Sequence, residues 1–70
     1  MGTEKDKRLG ARIQKFRKQA GLTQEQLAEK LKLSAKYVQF IETAHRKPSL
    51  KTLYKIANVL NIEVKELFPF

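Results

Sequence analysis

Apolar residues return at helical spacing in one short run after another along this 70-residue chain. Leu9, Ile13, Phe16 and Ala20 mark one face of a first helix, predicted over residues 5–20. Gly21 ends it, because glycine enters the left-handed conformation of a helix C-terminus at little cost. Leu27, Ala28 and Leu31 form the apolar face of a second helix. Its start is set by Thr23 and Gln26, whose T-x-x-Q spacing makes a capping box. Ser34 is a good N-cap for a third helix over residues 35–43, with Val38 and Ile41 facing inward. Pro48 and Ser49 break the chain and open a fourth helix. Its stripe is Leu50, Leu53, Ile56, Ala57 and Leu60, and Asn61 suits a left-handed stop. A last helical turn is predicted over residues 64–68, before Pro69.

Five short helices with short connections predict a compact all-α bundle. The second and third are joined by so few residues that they must cross steeply, as in a helix-turn-helix unit. The polar lead-in before Lys7 reads as disordered. Residues 1–8 are therefore taken as lead-in plus the start of the first helix, and residues 9–68 as a single domain.

Composition narrows the possibilities. Fifteen Lys and Arg against seven acids give a formal charge of +8, which suits a polyanionic partner. The excess is uneven: residues 1–20 hold seven bases and two acids, and residues 34–52 hold four bases and one acid. Cysteine is absent and His45 is the only histidine, so no thiolate or paired-histidine metal site is expected, and no cofactor. The absence of disulfides suits a reducing compartment, and no apolar run approaches a membrane span. The expected location is the cytoplasm, on the nucleoid. Nothing pairs a nucleophile with a base or builds a glycine-rich phosphate loop, so no enzyme is predicted and no small-molecule ligand is evident.

The residues at the helix-turn-helix positions carry a resemblance. The run GLTQEQLAEKL (residues 21–31) resembles the second helix of the phage-repressor and Cro-like helix-turn-helix family, the XRE family. YVQFIE (residues 37–42) resembles its recognition helix, and PSLKTL (residues 48–53) the start of its fourth helix. The resemblance implies a five-helix, lambda-repressor-like DNA-binding domain with its motif at residues 24–43. Such a motif sets its recognition helix in the major groove, N-terminus first, while the preceding helix crosses the backbone. The implied base contacts are Ala35, Lys36, Gln39 and Phe40. The implied phosphate contacts are Thr23, Gln24, Thr43, Arg46 and Lys47. The resemblance also implies a structural ion pair between Arg17 and Glu42.

Side-chain chemistry is consistent with these assignments. Lys36 is able to donate to guanine O6 and N7, and Gln39 to pair with adenine N6 and N7. Phe40 neighbours Ile41 but points away from the Val38–Ile41 face. It either covers a thymine methyl or packs sideways near His45 or on the first helix. Tyr37 is expected to serve partly in the core and partly as a phosphate contact through its hydroxyl. His45 is expected to contact phosphate from its loop. Lys32 and Ala44 stand where the family favours glycine. Either these turns keep a left-handed backbone, at about 1–2 kcal/mol each, or they have changed shape.

The predicted function is a sequence-specific regulator of transcription acting on double-stranded DNA, as a repressor or a restriction–modification controller-type protein. The alternative is an antitoxin-like interaction module that also binds its own promoter. Ile62, Val64, Leu67, Phe68 and Phe70 exceed what so small a core needs. They predict a homodimer on a palindromic operator, with recognition helices about 34 Å apart.

Overall fold

A computed structural model describes residues 2–68 and contains four α-helices and one 3-10 turn. They are α1 (Glu4–Gln19), α2 (Gln24–Leu31), α3 (Ala35–Glu42), α4 (Leu50–Leu60) and the turn Val64–Leu67. Each α-helix starts on a hydroxyl. Thr3, Thr23, Ser34 and Ser49 all accept a hydrogen bond from the amide three residues on, and Thr3–Asp6 and Thr23–Gln26 form reciprocal capping boxes. The first helix therefore begins at Glu4, inside the stretch expected to be disordered. The T-x-x-D spacing of Thr3 and Asp6 encodes that start.

The four helices also end alike. Gly21, Lys32, Ala44 and Asn61 all have positive φ, between 59° and 75°. In each case the following amide bonds back to the carbonyl five residues earlier: Leu22 to Arg17, Leu33 to Ala28, His45 to Phe40, and Ile62 to Ala57. These are Schellman motifs. Lys32 and Ala44 keep the left-handed shape without glycine, so the turns have not been remodelled. The third helix stops at Glu42, with Thr43 as its cap residue rather than its last helical residue.

Ile13, Leu27, Val38, Ile41, Ile56 and Leu67 are the largest fully buried side chains, in a core where α3 packs on α1 and α2, α4 packs on α1 and α2, and the terminal turn packs on α1 and α4. Two apolar positions exchange their expected roles. Leu67, expected at a dimer interface, is 0% exposed and belongs to the core. The Arg12 guanidinium donates to the Glu66 carbonyl from Nε (3.1 Å) and Nη2 (2.7 Å), which draws the terminal turn down onto α1. Leu50, expected in the buried stripe of α4, is 59% exposed. It is the first residue of that helix and stands at the rim of a shallow cavity lined by Leu9, Pro48, Leu53 and Phe68. The last predicted helix is a single 3-10 turn, because four residues cannot close more than one turn. Phe70, also expected at the dimer interface, lies outside the described residues.

Candidate nucleic-acid interface

Helix α3 has two chemically distinct faces. Counting about 100° per residue from inward-facing Val38, the side chains of Gln39, Thr43, Lys36 and Phe40 fall between about 100° and 200°. All four therefore lie on the side opposite the core. Lys36, Gln39 and Thr43 are exposed, and Phe40 is half-buried. Ala35 is not part of this face. It packs against the core cluster, as does Tyr37, so little of the Ala35 methyl is left for a base.

Phe40 settles between its two expected positions. It is not among the side chains packed on the core. Its ring lies 5.9 Å from the His45 ring, tilted by 37°. The Lys36 ammonium stands 5.9 Å above the same ring. Phe40 thus rests beside His45 and still faces outward.

The end of α3 is held by a buried polar network. The Glu42 carboxylate accepts from Arg17 Nε at 2.6 Å and Nη2 at 3.1 Å, and from Gln24 Nε2 at 3.0 Å. Arg17 Nη1 donates to the Leu22 carbonyl at 2.8 Å. One carboxylate on α3 therefore ties together α1, α2 and the turn between them. Among the described residues, no buried side-chain polar atom lacks a partner. A buried pair of this kind adds little net stability over an apolar filling, but it fixes an orientation, and loss of one partner costs about 3–5 kcal/mol.

Gly10 supplies the second restraint. A β-carbon there would lie 2.6 Å from the Ile41 carbonyl oxygen and 2.5 Å from that of Glu42. The bare Cα lets α1 approach the last turn of α3 more closely than any side chain allows. Neither Gly10 nor the inward hydrogen bond of Gln24 was apparent from residue pattern. A lone glycine inside a helical run costs about 1 kcal/mol against alanine and usually has a packing reason, which was the available signal.

The loop after α3 carries the remaining expected contacts. Thr43 Oγ1 lies 2.8 Å from the Gln39 carbonyl and shares a 2.8 Å hydrogen bond with His45 Nδ1. Its single proton is committed inside the protein, so Thr43 has no donor for a phosphate in this conformation. Gln24 has one amide hydrogen engaged by Glu42 and a second that remains for an outside acceptor. Arg46 and Lys47 are exposed, and the Lys47 ammonium lies 3.8 Å from the Asp6 carboxylate. The Thr3 amide hydrogen bond, with a smaller contribution from Lys47, holds the Asp6 carboxyl below its ordinary range against the opposing effect of burial. Thr23 is exposed at the N-cap of α2. Among the described residues there is no cluster of acidic, histidine or cysteine side chains able to hold a metal, and no helix long and apolar enough to cross a membrane.

Comparison with known proteins defines the class. Residues 13–67 match the helix-turn-helix family. The immunity repressor of Bacillus phage phi105 is 46% identical over 59 residues, 84% of this chain and 41% of that protein. The crystal structure of the restriction–modification controller protein C.AhdI from Aeromonas hydrophila superposes with a TM-score of 0.85 at 39% identity, covering 89% of this chain and 94% of that one. The master regulator of biofilm formation SinR, solved in complex with DNA, superposes with a TM-score of 0.79 at 35% identity, covering 84% and 95%. The chain belongs to the helix-turn-helix family.

Proposed function

We propose that this DNA-binding transcriptional regulator reads its operator through the outward face of α3 and represses transcription as a homodimer on a palindromic site. The observation that carries the reading is the contrast between the two faces of α3. One face is clamped by Gly10 and the buried Arg17–Glu42–Gln24 network. The other presents Lys36, Gln39 and Phe40 side by side. A helix held this firmly is able to report the difference between one base pair and another, since base readout requires fixed donors. Lys36 and Gln39 read base edges, with Phe40 beside them. Arg46 and Lys47 hold the phosphates, with Thr23, Gln24 and the Tyr37 hydroxyl as further backbone contacts. The solved complex of SinR with DNA supports a nucleic-acid partner for this fold. The controller C.AhdI and the phage repressor support a role in gene control, and the repressor points to its sign. The half-buried Ile62, Val64 and Phe68 lie in and beside the terminal turn and supply the dimer contact, with the buried Leu67 beneath them. No catalytic step is assigned to this surface.

The test is a titration of wild-type protein, Gln39→Ala and Lys47→Ala against an operator selected from a random pool and against a scrambled duplex. Gln39→Ala is expected to lose about 1–3 kcal/mol on the operator and far less on scrambled DNA. Lys47→Ala is expected to weaken both by similar factors and to lower the salt slope by about 1. Equal loss on both duplexes for a folded Gln39→Ala variant overturns this placement of α3.

A further inference from the structure

The Phe40 ring has no role in the core and no hydrogen-bonding group. It nevertheless stands half-buried at the edge of the outward face, next to Lys36 and Gln39 along the helix. It is also flanked on two sides, by the Lys36 ammonium at 5.9 Å and by the His45 ring at 5.9 Å. His45 is in turn fixed by its 2.8 Å hydrogen bond to Thr43. A fixed apolar surface in a major groove has one good partner there. The donors and acceptors of the base edges offer it nothing, and the C5-methyl is the one apolar group there that projects beyond a bare C–H.

We propose that Phe40 reads the C5-methyl of a pyrimidine regardless of which pyrimidine carries it, so that this protein recognises 5-methylcytosine as well as thymine and responds to cytosine methylation of its DNA. The inference rests on the placement of α3 in the major groove proposed above. Thymine and 5-methylcytosine carry the methyl on the same ring carbon, at the same wall of the groove. They differ at position 4 and in the purine opposite, which are features for amide and ammonium groups to read and to which a phenyl ring is blind. Gln39 and Lys36 therefore distinguish A·T from G·C pairs, and Phe40 adds a constant increment wherever a methyl is present. Burying one methyl-sized apolar group corresponds to about a fourfold gain in affinity. Methylation at a position facing Phe40 would thus strengthen binding, without altering which base pairs are accepted.

The experiment begins with an operator selected from unmodified random duplexes. Each thymine is replaced in turn by uracil, which removes only the methyl. The most sensitive position is then remade as C·G and as 5-methyl-C·G. For the wild type, thymine is expected to exceed uracil, and 5-methylcytosine to exceed cytosine, by the same factor of about four. Phe40→Ala and Phe40→Gln should bring both ratios to one with an unchanged melting temperature, since the ring lies outside the core. Two variants are used so that one misfolded protein does not decide the outcome. Ratios of one at every position, for a wild type that still separates operator from scrambled DNA, overturn methyl reading and leave the groove placement standing. Ratios that persist in folded Phe40 variants assign the methyl to another residue and also overturn it. A wild type that fails to separate operator from scrambled DNA overturns instead the reading on which the inference rests.

Discussion

Gly10→Ala turns the close approach of α1 to the end of α3 into a measurable quantity. In the interior of an exposed helix this substitution stabilises by about 1 kcal/mol, because alanine loses less backbone entropy than glycine. Here the added carbon would sit 2.6 Å from the Ile41 carbonyl oxygen and 2.5 Å from that of Glu42. Both are backbone atoms of the last turn of α3 and cannot rotate away. Helices α1 and α3 must separate by a substantial fraction of an ångström, and overpacking of this kind costs about 1–3 kcal/mol. The stated backbone distances place the cost toward the upper part of that range, leaving a net loss of about 1–2 kcal/mol after the propensity gain. For a domain of this size, that lowers the melting temperature by about 5–15 °C. The same displacement moves the end of α3 that carries Gln39 and Phe40. Operator affinity should therefore fall more than affinity for scrambled DNA when both are measured below the melting transition. Thermal melts followed by circular dichroism give the first quantity and anisotropy titrations the second. A variant as stable as wild type, or more stable, refutes the close-contact reasoning. A destabilised variant with an unchanged specificity ratio refutes the link from Gly10 to base reading.

Other outcomes follow from the same geometry. Glu42→Ala leaves the Arg17 guanidinium buried without a counter-charge and should lose about 3–5 kcal/mol in denaturant melts, whereas the double change Arg17→Met, Glu42→Leu should lose much less. Lys32→Gly relieves a left-handed backbone at φ 60° and should stabilise by about 0.5–1 kcal/mol in the same melts. Asp6 has its carboxyl lowered on folding, so its contribution is complete above the ordinary aspartate value of about 3.9 and is lost as pH falls through the lower folded value. Asp6→Asn should accordingly flatten the acid limb of a stability–pH curve below about pH 4 and leave its neutral part nearly parallel to wild type. A curve whose acid limb stays as steep in the variant assigns acid sensitivity to another group.

Where the fold was legible in the sequence, the signals were local. Hydroxyls at Thr23, Ser34 and Ser49 marked three helix starts, and Gly21 and Asn61 marked two left-handed ends. Thr3 and Asp6 carried the same kind of signal, but a strongly polar N-terminus concealed it. At Lys32 and Ala44 the residue type itself does not indicate a left-handed backbone; only the family resemblance raised it, and surrounding hydrogen bonds impose it against the residue's own preference. The exchange between Leu50 and Leu67 has a related cause. Helical periodicity identifies a face, but at the ends of elements only tertiary packing decides how far the core extends. The Arg12 clamp on Glu66 that buries Leu67 spans 54 positions and leaves no periodic trace. At the candidate site, residue types indicated the chemistry of Lys36, Gln39 and Phe40. The inward bond of Gln24 and the committed proton of Thr43 depend on side-chain direction, which a spacing pattern does not carry.

Whether the outward face of α3 reads base identity is decided by changing what one position on it reads. Gln39→Lys replaces a side chain suited to adenine N6 and N7 with one suited to guanine O6 and N7. Binding sites are selected from the same random duplex pool with wild-type and variant protein and compared position by position. The two consensus sequences are expected to differ only at the base pair that residue 39 faces, adenine giving way to guanine, with every other position unchanged. Identical consensus sequences, or differences spread across the whole site, would contradict base reading by this face.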